Sequence, residues 1–343
     1  MKAGVLYKAK DLRLDERPKP ELADDEVLVK VRAVGICGSD MHLFDEGRIG
    51  NTVLERPVVL GHEAAGDVVE VGPAVKSLVK GDRVAIEPGI PCRSCAYCKR
   101  GEYHLCPDVV FHGVPHNDGF FAEYAAVPAD FAFKLPETLS YVDGAMLEPL
   151  AVGLQAATEG EVQPGQAVAI LGSGPIGLST LQACLARGAA TTIVVDVVES
   201  RLNMAKKMGA SHVVNAAQTP FADEVVRLTG GLGADVVLET AGAVPTVQGS
   251  ANAVRRGGFV VLVGICSQAE VPLDVVKIVR SRLQIRGCFR YVNQYPVAVA
   301  LAVAGKVDVS AMVTHHYKLD ELPEAIEFAI KNKDVAIKTV VDV

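Results

Sequence analysis

Four cysteines crowd into fifteen residues: Cys92, Cys95, Cys98 and Cys106 follow the spacing C-x2-C-x2-C-x7-C. Four thiolates so close together satisfy the tetrahedral preference of zinc and leave no open position, as a structural ion requires. Their charge calls for a cation and N–H donors, and Lys99 and Arg100 stand nearby. An iron–sulfur cluster and a redox disulfide pair are the rival readings of this spacing. A second group of potential ligands is dispersed. Cys37 lies in Gly35-Ile-Cys37-Gly-Ser39-Asp40-Met-His42, Gly61-His62-Glu63 follows, and Glu148 stands in Met146-Leu-Glu148-Pro149-Leu150. Spacing alone does not join them, because a single His in Gly-His-Glu is more often a surface or core residue.

A third constellation concerns a dinucleotide. The apolar run Ala167–Leu171 leads into Gly172-Ser-Gly174-Pro-Ile176-Gly177, and a helical pattern follows. A lone GxGxxG is weak, but this one has the strand before it and the helix after it that the fingerprint demands. The first glycine serves the tight turn, the second lets the backbone approach a pyrophosphate, and the third lets helix and strand pack closely. The helix N-terminus would hold the diphosphate. Nineteen residues beyond Gly177 stands Asp196. A carboxylate there accepts from adenosine ribose hydroxyls and repels a 2′-phosphate, which favours NAD over NADP. Arg201 could stack on adenine or pair with a phosphate.

These groups need elements to position them. A chain of 343 residues, half of them hydrophobic, is long enough for about two domains with real cores. Residues 1–150 carry short Val-rich runs (Val27–Val34, Ala65–Val71, Arg83–Ile86, Ala122–Val127) and read as a mainly β domain. Inside it, residues 91–107 lack any helix or strand period and need something other than an apolar core to order them. Residues 151–287 alternate apolar strands with helical patterns, which implies a doubly wound parallel sheet covered by helices on both faces. The tail, 288–343, ends in the strand-like Ile337–Val341 and is expected to pack back on the first domain.

Composition excludes several classes. The net charge of −7, without a long Lys/Arg run, gives no nucleic-acid footprint. No apolar stretch approaches the length of a membrane span. The start of the chain lacks a hydrophobic leader with a cleavage site, so a cytoplasmic location is expected. Eight cysteines in a reducing compartment argue for metal or catalytic use over disulfides. Cys184, Cys266 and Cys288, in apolar surroundings, read as small buried hydrophobes. His112 and His116 could line a substrate cleft, whereas the neighbours His315 and His316 would point to opposite faces of a strand and not chelate.

Taken together, the Cys37 segment, Gly47–Asn51, Val59–Glu63 and the four-cysteine lobe resemble the zinc-containing medium-chain dehydrogenases. Leu147–Gly153 and Phe289-Arg290-Tyr291 resemble their polyol-oxidising, sorbitol dehydrogenase-like branch. The resemblance covers essentially the whole chain. It implies a GroES-like β domain completed by the tail, a Rossmann domain, and a catalytic zinc in the cleft between them. By motif, Cys37, His62 and Glu63 would be ligands. Glu148 would contact the metal-bound water or substrate, or ligate directly. Asp40 would orient the zinc-bound His. Arg290 and Tyr291 would contact substrate hydroxyls, with Phe289 nearer the nicotinamide, and Ile176, Asp196, Arg201 and Val263-Gly264-Ile265 would contact the cofactor.

The implied reaction is transfer of a hydride from a secondary hydroxyl of a small polyol to NAD, reversibly giving the ketose, with two zinc ions per chain. Glu148 or the zinc-bound water would take the proton, with Ser39 and His42 as a second route through the cofactor ribose. Family members are commonly tetramers or dimers. Leu43-Phe44 stands where the polyol branch usually carries an aromatic pair, and the loop Val110–Pro115 also departs from the pattern, so a shorter or different polyol than sorbitol is implied. A zinc threonine or simple alcohol dehydrogenase is the alternative. A quinone reductase of the same fold would lack Cys37, His62 and the four-cysteine lobe. A zinc-ribbon binding protein would not need Gly172–Asp196.

Overall fold

A computed structural model of the protein describes residues 1–266 and 268–343. The chain divides into two units, Met1–Glu148 with Tyr295–Val303 and Val313–Val343, and Pro149–Gln294 with Ala304–Met312.

The first unit is built around the Val-rich strand Glu26–Ile36. Strand Glu63–Val71 pairs antiparallel along it, while Tyr124–Pro128 pairs with its first half and Lys338–Asp342 with its last residues. Arg83–Ile86 and Ala132–Lys134 extend the sheet on one side and Val313–Lys318 on the other. The apolar residues of these strands bury Leu43, Phe44, Leu60, Phe120, Phe121, Leu322 and Ile326 against them. Removing such side chains from water stabilises by roughly 1.5–3 kcal/mol each. The central strand ends at Ile36, and the helix Gly38–Glu46 begins immediately. Asp40 nucleates that helix by accepting from the Cys37 N–H at 2.8 Å. Gly47, in the left-handed region at φ 68°, closes it.

The second unit holds six parallel strands in the order His212–Asn215, Thr191–Asp196, Ala167–Leu171, Ala234–Glu239, Val254–Leu262, Gln284–Gly287. Numbered from Ala167–Leu171, this is the 3-2-1-4-5-6 sheet, which reverses direction at its first strand and opens a crevice at the carboxyl ends. A helix spans Val244–Ala253, and Val254 starts the next strand. There β-branched Val254 pairs with Ala234 before the register shifts.

One long helix, Tyr141–Glu159, has no counterpart in the sequence reading. Ala145, Met146, Leu147, Leu150, Ala151 and Leu154 are all buried. A helix apolar nearly all round shows no one-sided stripe to reveal it. Pro149 lies inside it and removes one backbone donor. Among the described residues, no helix is long and apolar enough to cross a membrane.

Candidate active site

Strand register brings the dispersed ligand candidates together. Gly35 pairs with Glu63 across one edge of the central strand and with Val340 across the other. Cys37 follows that strand by one residue, and His62 precedes the next by one. The thiol, the imidazole and the Glu63 carboxylate each offer a ligand atom within 4.8 Å of the others. His62 and Glu63 are buried. The His62 ring presents Nε2 toward Ser39 Oγ, 3.5 Å away, and its Nδ1 lies 3.8 Å from Asp40 Oδ1. That last separation is too long for a hydrogen bond. Asp40 acts on the backbone instead, because its two oxygens accept from the Cys37 and Gly61 amides at 2.8 and 3.1 Å. One fully buried carboxylate thus ties the two ligand-bearing segments together.

The electrostatics favour a cation. Burial pulls the His62 pKa down, but Asp40, Cys37 and Glu148 outweigh it and push it up to about 10. Desolvation raises the Asp40 carboxyl above its usual range. A thiol, an imidazole and a carboxylate in so small a space are the donor set of a catalytic zinc with a position left open. Glu148 is buried but stands outside the three-residue cluster, close enough to act on His62 through space. His42 pairs with Glu46 at 3.2 Å, and its side chain is 63% exposed.

The four-cysteine lobe behaves as expected of a chain without an apolar core. Its short helical turns, Ala96–Lys99 and Tyr103–Leu105, bury no residue. Yet the four sulfurs lie within 4.8 Å of one another and none is disulfide-bonded. Backbone amides aim at them: Cys92 N–H at Cys106 Sγ (3.4 Å), Cys95 N–H at Cys92 Sγ (3.4 Å), Cys98 N–H at Cys95 Sγ (3.5 Å). The amide and hydroxyl of Ser94, with the Cys95 amide, draw the Cys92 thiol down to about 6. Amide donors around four clustered sulfurs suit a tetrahedral cation.

In the second unit the glycine loop leaves a cradle. Gly172 has φ 105°, and a Cβ on it would meet Thr240 Oγ1 at 2.9 Å. A Cβ on Gly177 would fall 2.0 Å from the Gly172 carbonyl oxygen, so helix and strand could not close up. At Gly174 the nearest atom to an added Cβ is Arg201 Nη1 at 4.0 Å, which leaves room for a ligand. Asp196, at the end of the neighbouring strand, accepts from the amides of Ser173 (2.7 Å), Val197 (2.7 Å) and Val198 (2.9 Å). The carboxylate therefore holds the glycine loop through Ser173. The Val263 and Gly264 amides both donate to the Glu239 carbonyl, while Ile265 is left exposed.

Residues 23–137 match the alcohol dehydrogenase GroES-like domain, and residues 175–305 the zinc-binding dehydrogenase domain. The sorbitol dehydrogenase of Bacillus subtilis (strain 168) is 44% identical over 99% of this chain and 97% of its own length. The chain belongs to the zinc-dependent medium-chain dehydrogenases, in their sorbitol dehydrogenase-like branch. Solved structures agree. An Escherichia coli oxidoreductase of unknown specificity superposes with TM-score 0.95 at 40% identity, covering 99% of this chain and 98% of that one. The L-idonate 5-dehydrogenase of Escherichia coli gives 0.93 at 30% identity, covering 100% and 98%. The two units are the GroES-like and Rossmann folds of this family, and zinc and NAD are its cofactors.

Some residues of this dehydrogenase differ from expectation. Of the three cysteines read as buried, only Cys184 is; Cys266 and Cys288 are half-buried. Tyr291 is 3% exposed, and Arg290, at φ 56°, lays its guanidinium 4.6 Å over the Phe289 ring. His316 pairs with Asp342 while His315 packs on Phe328, so the adjacent histidines do separate. Leu43 and Phe44 are buried in the core. His112 is half-buried and His116 exposed.

Sequence reasoning missed Lys338, Gly35 and Glu87. Lys338 is 2% exposed and its ammonium lies 2.6 and 2.5 Å from the two Glu63 oxygens. A lone Lys in the apolar run Ala336–Val341 was the available signal, since a charge is buried only with a partner. Glu87, 1% exposed, accepts from the Tyr103 hydroxyl at 2.8 Å, joining the sheet to the cysteine lobe.

Proposed function

We propose that this protein oxidises a secondary hydroxyl of a small polyol with NAD as the hydride acceptor, and reduces the matching ketose in reverse. The observation that carries the proposal is the convergence of Cys37, His62 and Glu63 ligand atoms within 4.8 Å of one another. Curated relatives called sorbitol dehydrogenase support the polyol class, as does the L-idonate 5-dehydrogenase likeness.

Cys37, His62 and Glu63 would hold the catalytic zinc, and Cys92, Cys95, Cys98 and Cys106 a structural one. When bound, the catalytic zinc acts as a Lewis acid on the hydroxyl oxygen, and NAD takes up the hydride. The chain's own residues do the rest. Asp40 keeps the Cys37 and His62 segments in register through their backbones. The buried Glu148 carboxylate is the proton acceptor. Ser39 is the nearer half of the second proton route, since His42 is engaged with Glu46 on an exposed part of the helix. Gly172, Gly174 and Gly177, with Ile176, seat the diphosphate, and Asp196 reads the adenosine ribose beside Arg201. Val263, Gly264, Ile265 and Phe289 border the nicotinamide end, and Arg290 and Tyr291 contact substrate hydroxyls. All eight cysteines are free, which suits a reducing cytoplasm. Assembly into a homotetramer or dimer completes the reading, and light scattering would show it.

The test is an assay of C3 to C6 polyols, with L-threonine and simple alcohols alongside, using NAD and NADP, together with zinc content per chain. Turnover of a polyol with NAD by protein carrying two zinc ions is the expected result. Turnover confined to threonine or simple alcohols would overturn the substrate class, and metal-free activity the mechanism.

A further inference from the structure

Lys338 sits on the last strand of the first unit, between the buried Ile337 and the buried Thr339 and Val340. Its ammonium donates to the Ile36 carbonyl at 3.0 Å, one residue before Cys37, and spans both oxygens of Glu63 at 2.6 and 2.5 Å. The carboxylate and the ammonium come from strands on opposite edges of Glu26–Ile36. They can meet only because Gly35 lies between them: a Cβ there would fall 2.0 Å from Glu63 Oε2. Stability alone is a poor reason for this arrangement, since a buried ion pair is often no better than well-packed apolar residues.

We propose that Lys338 is a positioning residue that shares the Glu63 carboxylate with the catalytic zinc, keeping this third ligand partly withdrawn and the ion incompletely neutralised. The inference rests on the reading of Cys37, His62 and Glu63 as the metal site. A carboxylate between two cations donates less of its charge to each. This sharing weakens the bond to Glu63 and leaves the metal a stronger electrophile. The missing Cβ at Gly35 and the carbonyl of Ile36 hold carboxylate and ammonium in this position independently of any metal.

The experiment measures zinc per chain and its release to a chelator, in parallel with the absorption spectrum of cobalt-substituted protein. Cys37→Ser should first lose one of the two ions; retention of both would sink the reading of the site, not the role of Lys338. In Lys338→Met, zinc should leave this site about 10-fold more slowly, an effect of the size usual for residues behind metal ligands but of the opposite sign, and the cobalt spectrum should shift. Lys338→Arg, which keeps the charge, should resemble the unaltered protein. Release at the original rate or faster from Lys338→Met, with an unchanged cobalt spectrum, overturns the proposal. Should Lys338→Met fold poorly, Glu63→Gln with Lys338→Met removes both charges. Its release rate should equal that of Glu63→Gln alone, and a further effect of Lys338→Met in that background also overturns the proposal.

Discussion

Gly35 and Glu63 face each other across neighbouring strands, and the space a Cβ would fill at Gly35 is taken by the Glu63 carboxylate. A methyl there would also crowd Met146 Cε at 2.7 Å. Gly35→Ala should therefore separate Glu63 from Lys338. Uncoupling a buried ion pair costs about 3–5 kcal/mol, far more than an ordinary Gly→Ala change. Urea unfolding monitored by circular dichroism would register the loss. A variant as stable as the parent would mean that the carboxylate can move aside freely.

The cysteine lobe buries nothing but Cys106 among its four ligand candidates. Cys95→Ser should cut bound zinc from about two per chain to about one, since a structural zinc needs all four donors. Limited proteolysis should then cut within residues 91–107 while the Rossmann unit stays intact. An uncut lobe with one ion lost would show that other contacts order it.

Asp196 accepts from the Ser173 amide of the glycine loop and from the Val197 and Val198 amides of its own turn. Replacing it with Ala or Ser removes charge-assisted bonds worth about 1.5–3 kcal/mol each and the repulsion of a 2′-phosphate. The ratio of kcat/KM for NAD over NADP should fall by about 10- to 100-fold. An unmoved ratio would remove Asp196 from cofactor selection.

Glu87 carries a pH signature. Burial, beside the charge of Glu148 and Asp130, pushes its carboxyl up from 4.5 to about 7, against the Tyr103 hydrogen bond. At Glu87 the folded protein then binds more protons than the unfolded chain between those values, so the contribution of this group to stability is full below pH 4.5 and declines as pH rises toward 7. The span corresponds to roughly 3 kcal/mol. Glu87→Gln should flatten that part of the stability profile, measured by denaturant unfolding at successive pH values. A profile of unchanged slope would place the titration elsewhere.

Glu148→Gln and Ser39→Ala separate the two proton routes. If Glu148 accepts the proton, the Gln variant loses the corresponding limb of the pH–rate profile and falls about 10²- to 10⁴-fold in rate, the usual worth of a general base. Ser39→Ala keeps the limb. The reverse pattern would favour the hydroxyl route.

Much of this protein was legible before any coordinates, for a physical reason. The four cysteines and Gly172–Gly177 are local constellations, in which residue types at short spacing dictate what a few turns of backbone can bind. The alternating strands and helices of the second unit likewise announce themselves through period, and Ala167–Leu171 matches the expected bounds. The helix Tyr141–Glu159 escaped because burial on all sides erases the period.

Cys37, His62, Glu63 and Lys338 form a site only through strand register, which pairs residues tens to hundreds of positions apart. Composition and short motifs decided which chemistry the chain could attempt. Three-dimensional packing decided which carboxylate stands with the thiol and imidazole, and placed a lysine behind it, because pairing across a sheet is set by the whole fold and not by neighbours in the chain.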